Sequence, residues 1–163
     1  MSKKLSVKKG IDKSPKVFQR EKLSQELHIR ERDDLTEKQI SILKTAMDKD
    51  TRCVFIDGLY GTAKTYTCVL AALKLLNQKK IDQIIYVRNP VESSKSGKVG
   101  FLKGELAEKL SPYTCLVYDK LEELLPPSEI ELLKAENRID STSVGFVQGK
   151  NWACKAIIVD ESA

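Results

Sequence analysis

The sequence predicts an α/β fold, a parallel sheet flanked by helices, and three observations predict it. The apolar run Val54-Phe55-Ile56 feeds a glycine-bearing loop, and a Lys64-Thr65 pair then opens an amphipathic helix. A second apolar strand, Gln83 to Val87, follows that helix closely. Strand, helix and strand in so short a span make a right-handed βαβ unit with parallel strands. Further on, Ala156-Ile157-Ile158-Val159 is an unbroken apolar run, as a strand buried on both faces should be.

Residues 1–34 are polar, charged and without a clear period, and read as a basic, disordered arm with helical character near 19–30. Residues 1–22 hold eight basic and two acidic residues, a net +6, against +5 for the whole chain. The basicity is therefore a tail, of the kind that touches nucleic acid or other polyanions; a merely soluble end is the alternative. His28, the single histidine, has no partner in view and reads as a solvated structural residue. Residues 35–163 are then about one domain by length.

Leu35 to Asp48 has helical spacing. Thr36 is a natural N-cap with Gln39 three residues on, a capping box. Ile40, Leu43, Ala46 and Met47 form one apolar stripe. Gln39 carries two readings. It caps the helix, or it presents its amide to an adenine edge, which an amide can both donate to and accept from.

The strand Arg52 to Ile56 leads into Asp57-Gly58-Leu59-Tyr60-Gly61-Thr62-Ala63-Lys64-Thr65-Tyr66. The phosphate-binding (Walker A) pattern is Gly-x-x-x-x-Gly-Lys-[Ser/Thr], and here Ala63 stands where the second glycine belongs. A left-handed backbone there would cost alanine about 1–2 kcal/mol. Loop N–H groups and the partial positive charge of a helix start bind phosphate. Lys64 would reach the β- and γ-phosphates of ATP, and the Thr65 hydroxyl would sit on Mg2+. Gly58, Leu59, Tyr60, Gly61, Thr62, Ala63, Lys64, Thr65 and Tyr66 are the expected nucleotide cradle. A plain glycine turn with a solvated Lys64 is the alternative, and the strand–loop–helix context opposes it.

Lys64 to Asn77 is the helix, with Val69, Leu73 and Leu76 on its core side. Arg88-Asn89-Pro90 ends the strand Gln83 to Val87 at its carboxyl edge, where open parallel sheets bind ligands. Residues 91–103 are a polar loop of a length that is usually functional or mobile. Helical patterns follow at Gly104 to Leu110 and from Ser111-Pro112 onward, the second carrying Leu116, Val117, Leu121 and Leu124. Pro126-Pro127 stops it, and Ser128 with Glu131 forms a capping box for a short helix through Glu136. Arg138 to Val144 is a short strand, Gly145 to Trp152 a turn or short helix, and Ala156 to Val159 the buried strand.

That strand delivers Asp160 and Glu161. Two carboxylates at the tip of a buried strand are costly unless they face a cation. In P-loop enzymes the first holds the Mg2+ shell (Walker B) and the second activates the attacking water. An exposed acidic turn is the alternative. The candidate catalytic residues are thus Lys64 and Glu161, and the candidate metal ligands Thr65 and Asp160.

The four cysteines, Cys53, Cys68, Cys115 and Cys154, share no Cys-x-x-Cys spacing and stand beside no histidine cluster, which argues against zinc. Cys53, Cys68 and Cys154 fall in or beside apolar runs, so buried free thiols in a reducing compartment are expected. No apolar run approaches the ~20 residues of a membrane span. No apolar core follows the basic N-terminus, so no secretory signal is read. A cytoplasmic protein without membrane partners is the expectation.

From about residue 35 to residue 163 the chain resembles the PhoH-like ATPases, a RecA-like P-loop family related to superfamily-one helicases. Ile84 to Val91 resembles the family's strand ending in Thr-Arg-Pro-Val. Gly100-Phe101-Leu102-Lys103-Gly104-Glu105, continuing to Pro112-Tyr113, resembles its Gly-Phe-Leu-Pro-Gly…Glu-Lys…Pro-Tyr signature. Val147 to Trp152 resembles its Arg-Gly-Arg-Thr block, and Ile158 to Ala163 its Leu-Asp-Glu-Ala-Gln segment. Four departures stand out: Ala63 for Gly, Asn89 inserted before Pro90, Lys103 for Pro and Lys150 for Arg. The short basic architecture is similar to phage-borne members more than to the longer bacterial ones. The resemblance implies a RecA-like fold, ATP and Mg2+ as ligands, Gln39 on the adenine side, and Arg88 near the nucleotide or the nucleic-acid path.

Three functions compete. The first is an ATPase coupled to RNA or single-stranded DNA, in a helicase-like or RNA-metabolism role. The second is a small-molecule kinase on a P-loop fold, for which no dedicated lid or acceptor site is seen. The third is a non-catalytic nucleic-acid-binding module, against which Glu161 argues. The strand Ala156 to Val159 also has little sequence after it to cover its neighbouring edge, and an uncovered edge invites another chain. The chain is therefore expected to be truncated at its C-terminus, prone to homo-oligomerise, and weakly active or inactive in hydrolysis, the ATPase activity belonging to the full-length protein.

Overall fold

A computed structural model describes residues 23–88, 116–143 and 152–160. Its elements are α1 (Glu37–Met47), α2 (Lys64–Asn77), β1 (Gln83–Arg88), α3 (residues 116–124), α4 (Pro127–Ala135), β2 (Ile139–Ser143) and β3 (Lys155–Asp160). The three strands form a parallel sheet in the order β2-β1-β3, with Ile84 opposite Ile139 on one side and Ala156 on the other. Helices pack against it, giving the α/β P-loop arrangement that the apolar runs predict.

Local chemistry explains most element boundaries. The Thr36 hydroxyl accepts from the Gln39 N–H while the Gln39 amide oxygen accepts from the Thr36 N–H, so the predicted capping box forms. α2 spans the predicted residues and carries the core: Val69, Leu70, Leu73 and Leu76 are buried, and the helix packs on α1, β1 and β3. Ile84, Tyr86 and Ile158 meet it from the sheet, and Val117, Leu121, Leu124 and Leu133 close the same cluster from α3 and α4. α4 differs from its prediction. It begins at Pro127, with Pro126 as N-cap and no side-chain cap bond, so the Ser128–Glu131 box does not form. Proline at the first helical position has its φ already set for a helix, which moves the start two residues earlier.

Three other expectations are corrected. Residues 52–56 belong to no strand. Cys53 and Phe55 are exposed while Val54 and Ile56 are half-buried, so the alternation survives without a ladder. A strand needs a partner for its backbone groups, and among the described residues this segment has none. Cys53 is accordingly exposed rather than a buried thiol, and Cys68 and Cys154 are only partly buried. β3 is not buried on both faces: Ile158 is covered, but Ile157 and Val159 are 44% and 53% exposed. Among the described residues it pairs with β1 alone, and α2 packs against it.

The arm reading of 1–34 also changes. Residues 1–22 lie outside the described residues, but 23–32 form a strap across the helices without helical structure of their own. The Leu27 N–H and C=O both bond the Asn77 side chain at 2.9 Å, and the Arg30 N–H donates to the Leu124 carbonyl at 2.8 Å. Leu27 itself is buried. His28 has a partner after all: Nδ1 lies 2.6 Å from Glu129, whose carboxylate also accepts from the His28 N–H at 2.8 Å. Glu129 is buried, so these bonds compensate its desolvation. The expected loop 91–103, the helix 104–110 and the turn 145–151 lie outside the described residues.

Candidate functional site at the carboxyl edge of the sheet

Parallel pairing brings the carboxyl ends of the strands to one edge. Arg88 closes β1 there and stands in register with Ser143 of β2 and Asp160 of β3. α2 starts at the same edge, and its entry is the predicted loop. Gly61 has φ +78, and Ala63, the N-cap of α2, has φ 57 and ψ 34. Ala63 therefore does occupy the left-handed region that the motif reserves for glycine, and the alanine is strained by about 1–2 kcal/mol.

The loop closes on itself. The Lys64 ammonium donates to the carbonyls of Gly58 and Leu59 at 2.8 Å each, and the Thr62 hydroxyl donates to Leu59 at the same distance. Lys64 thus folds back over the loop that precedes its own helix. No side chain caps α2 and no acidic residue lies in its first turn. The N–H groups at a helix start that lack intrahelical partners are suited to an anion. Leu59 and Tyr60 are almost wholly exposed at the loop tip.

Thr65 and Asp160 meet. The Thr65 hydroxyl donates to Asp160 Oδ2 at 2.9 Å, joining positions 95 residues apart. The same oxygen accepts from the Tyr86 phenol at 2.6 Å. Cys68, one turn along α2 from Thr65, shows the field of this carboxylate: burial pushes its thiol up to about 11, and the Asp160 charge adds to the rise. A hydroxyl and a carboxylate presented together beside a lysine form a donor set of the kind that holds Mg2+ with phosphate oxygens. Glu161 lies outside the described residues.

Gln39 does more than cap. Its amide nitrogen donates to the Thr62 carbonyl at 3.3 Å, so α1 is tied to the phosphate loop through one side chain. Tyr66 turns its side chain away from the loop. It is buried, with the Arg32 guanidinium 4.6 Å from the ring centroid and the Arg32 N–H donating to its hydroxyl at 3.1 Å. What Tyr66 can offer a phosphate is its backbone N–H.

Sequence reasoning missed Tyr86, Cys68 and the Arg32 clamp. Tyr86 left one signal: a buried tyrosine in an apolar strand needs a partner for its hydroxyl. Strand alternation puts it on the Arg88 face, one pleat from the site.

The family described as "PhoH-like protein" matches residues 31–163. A PhoH-like protein of Mycobacterium leprae is 34% identical over 117 residues, 72% of this chain and 33% of the relative. One from Bacillus subtilis is 35% identical over 109 residues, 67% of this chain and 34% of the relative. Protein PhoH of Escherichia coli is 30% identical over 128 residues, 77% of this chain and 35% of the relative. The chain spans about a third of the length of these relatives.

Proposed function

The chain belongs to the PhoH-like family, a family of nucleotide-binding P-loop proteins, and from that premise we propose that it binds and hydrolyses ATP with Mg2+, coupled to RNA or single-stranded DNA. The observation that carries the reading is the 2.9 Å bond from Thr65 to Asp160, which brings the P-loop hydroxyl to the tip of β3. Gly58 to Thr65 supplies the phosphate cradle, with Lys64 leaving its loop carbonyls for the β- and γ-phosphates. Thr65 and Asp160 would hold the cation. Bound Mg2+ would offset charge that develops on the phosphate oxygens. Glu161 orients and deprotonates the attacking water. Gln39, already bonded to Thr62, lies on the adenine side, and Arg88, in register with Asp160, lies on the path between nucleotide and nucleic acid.

The nucleic-acid part of this reading rests on the family resemblance and on the basic residues of 1–22. ATP turnover is measured with and without single-stranded RNA and single-stranded DNA. The expected result is stimulation by at least one of them, lost in Glu161→Gln. Turnover unmoved by either polymer but raised by a small hydroxylated acceptor would place the protein among kinases instead.

A further inference from the structure

Tyr86 is fully buried in β1, the central strand, and is among the largest wholly buried side chains of the described residues. Its hydroxyl points at Asp160 Oδ2, 2.6 Å away, and Thr65 donates to the same oxygen from α2. A carboxylate oxygen that accepts two hydroxyl donors from two different elements cannot swing freely about its side-chain torsions. Among the described residues, Oδ1 of Asp160 accepts no bond. The two oxygens are therefore not equivalent: Oδ2 is fastened by both donors and Oδ1 by neither.

We propose that Tyr86 is a positioning residue for the cation site. Its phenol fixes Asp160 so that Oδ1 is the oxygen offered to the Mg2+ shell. Thr65 would itself be one of the residues holding the cation, and the Tyr86 bond would then keep Asp160 in place. Partners of this outer kind, which orient a ligand rather than touch the metal, typically set metal affinity by about 10–100-fold. The inference rests on the nucleotide-binding reading above, and Tyr86 is assigned no contact with nucleotide or metal.

The test is equilibrium binding of a fluorescent ATP analogue, titrated with MgCl2 and repeated in EDTA, for the parent, Tyr86→Phe and Tyr118→Phe. Tyr118 stacks with Lys134 away from the site and serves as the control. The expected result is that Tyr86→Phe raises the Mg2+ midpoint about 10-fold or more. Affinity in EDTA should stay within two-fold of the parent, and Tyr118→Phe should change neither. A midpoint within two-fold of the parent overturns the proposal. So does an equal loss with and without Mg2+, which would mark Tyr86 as core packing only. If the parent itself shows no Mg2+-dependent binding, the nucleotide reading fails and the proposal falls with it, a result distinct from failure of the variant alone. Should Phe at this position melt below the assay temperature, Tyr86→Met removes the same donor with an adaptable side chain and is held to the same outcomes.

Discussion

Ala63 holds φ 57 in a position where alanine is disfavoured, and the loop around it accepts the strain. Relieving it is a simple experiment. Ala63→Gly removes about 1–2 kcal/mol of left-handed penalty. It also loosens the unfolded chain, at a cost of about 0.4–1 kcal/mol. The expected net gain is between zero and about 1.5 kcal/mol, read as a shift in urea midpoint with an unchanged slope. A loss of stability would show that the loop is built around the alanine methyl. The strain was legible in the sequence because the motif places a glycine there for a known backbone reason. The Tyr86–Asp160 bond was not, because a hydrogen bond between residues 74 apart depends on sheet order, which no local pattern states.

Five of the elements that the sequence marks by period, α1, α2, β1, β2 and β3, lie within a residue or two of their predicted bounds. Segment 52–56 shows why period alone is insufficient, since its alternation is intact and its ladder is missing. The strap 23–32 fails in the opposite sense. It has no period, yet Ser24 donates to Glu136, Arg32 pairs with Glu123, and Glu31 pairs with Lys74 at 2.8 Å. Those contacts join distant positions, and the apolar residues that accompany them, Leu23, Leu27 and Ile29, follow no helical or strand period. The strap should be acid-sensitive. The Ser24 bond is the largest cause holding the Glu136 carboxyl below its ordinary value of 4.5. At Glu123 partial burial pushes upward, but bonds from Lys120 and Arg32 outweigh it and the net shift is also down. A carboxyl depressed in the folded state stabilises above its unfolded pKa, and that contribution is lost as pH falls through the folded value. Both side chains remain partly exposed and screened by water, so the effect is local rather than global. Amide exchange should show Leu27 and Arg30 losing protection as pH drops below about 4.5, before Ile85 and Val87 in β1 do. Simultaneous loss would show that the strap is no separate unit.

At the scale of the molecule, three distant parts converge on one edge: the loop 57–63, the tip of β3, and the end of β1. β1 is central and bonds both neighbours, so the position of Asp160 relative to Thr65 is set by the β1–β3 register and by the packing of α2 on both strands. The parallel α/β class was legible because inner strands must be apolar and loops between them must be polar. The exposure of Ile157, Val159 and Phe55 was not, since apolar residues read alike whether or not another element covers them. What this edge is for turns on whether it binds a magnesium nucleotide through Lys64. Isothermal titration of Mg-ATP into the parent and into Lys64→Ala tests it most directly. The account predicts measurable binding by the parent, and at least a ten-fold loss, about 1.4 kcal/mol, when the ammonium is removed. Lys64→Ala binding Mg-ATP within a few-fold of the parent would contradict it.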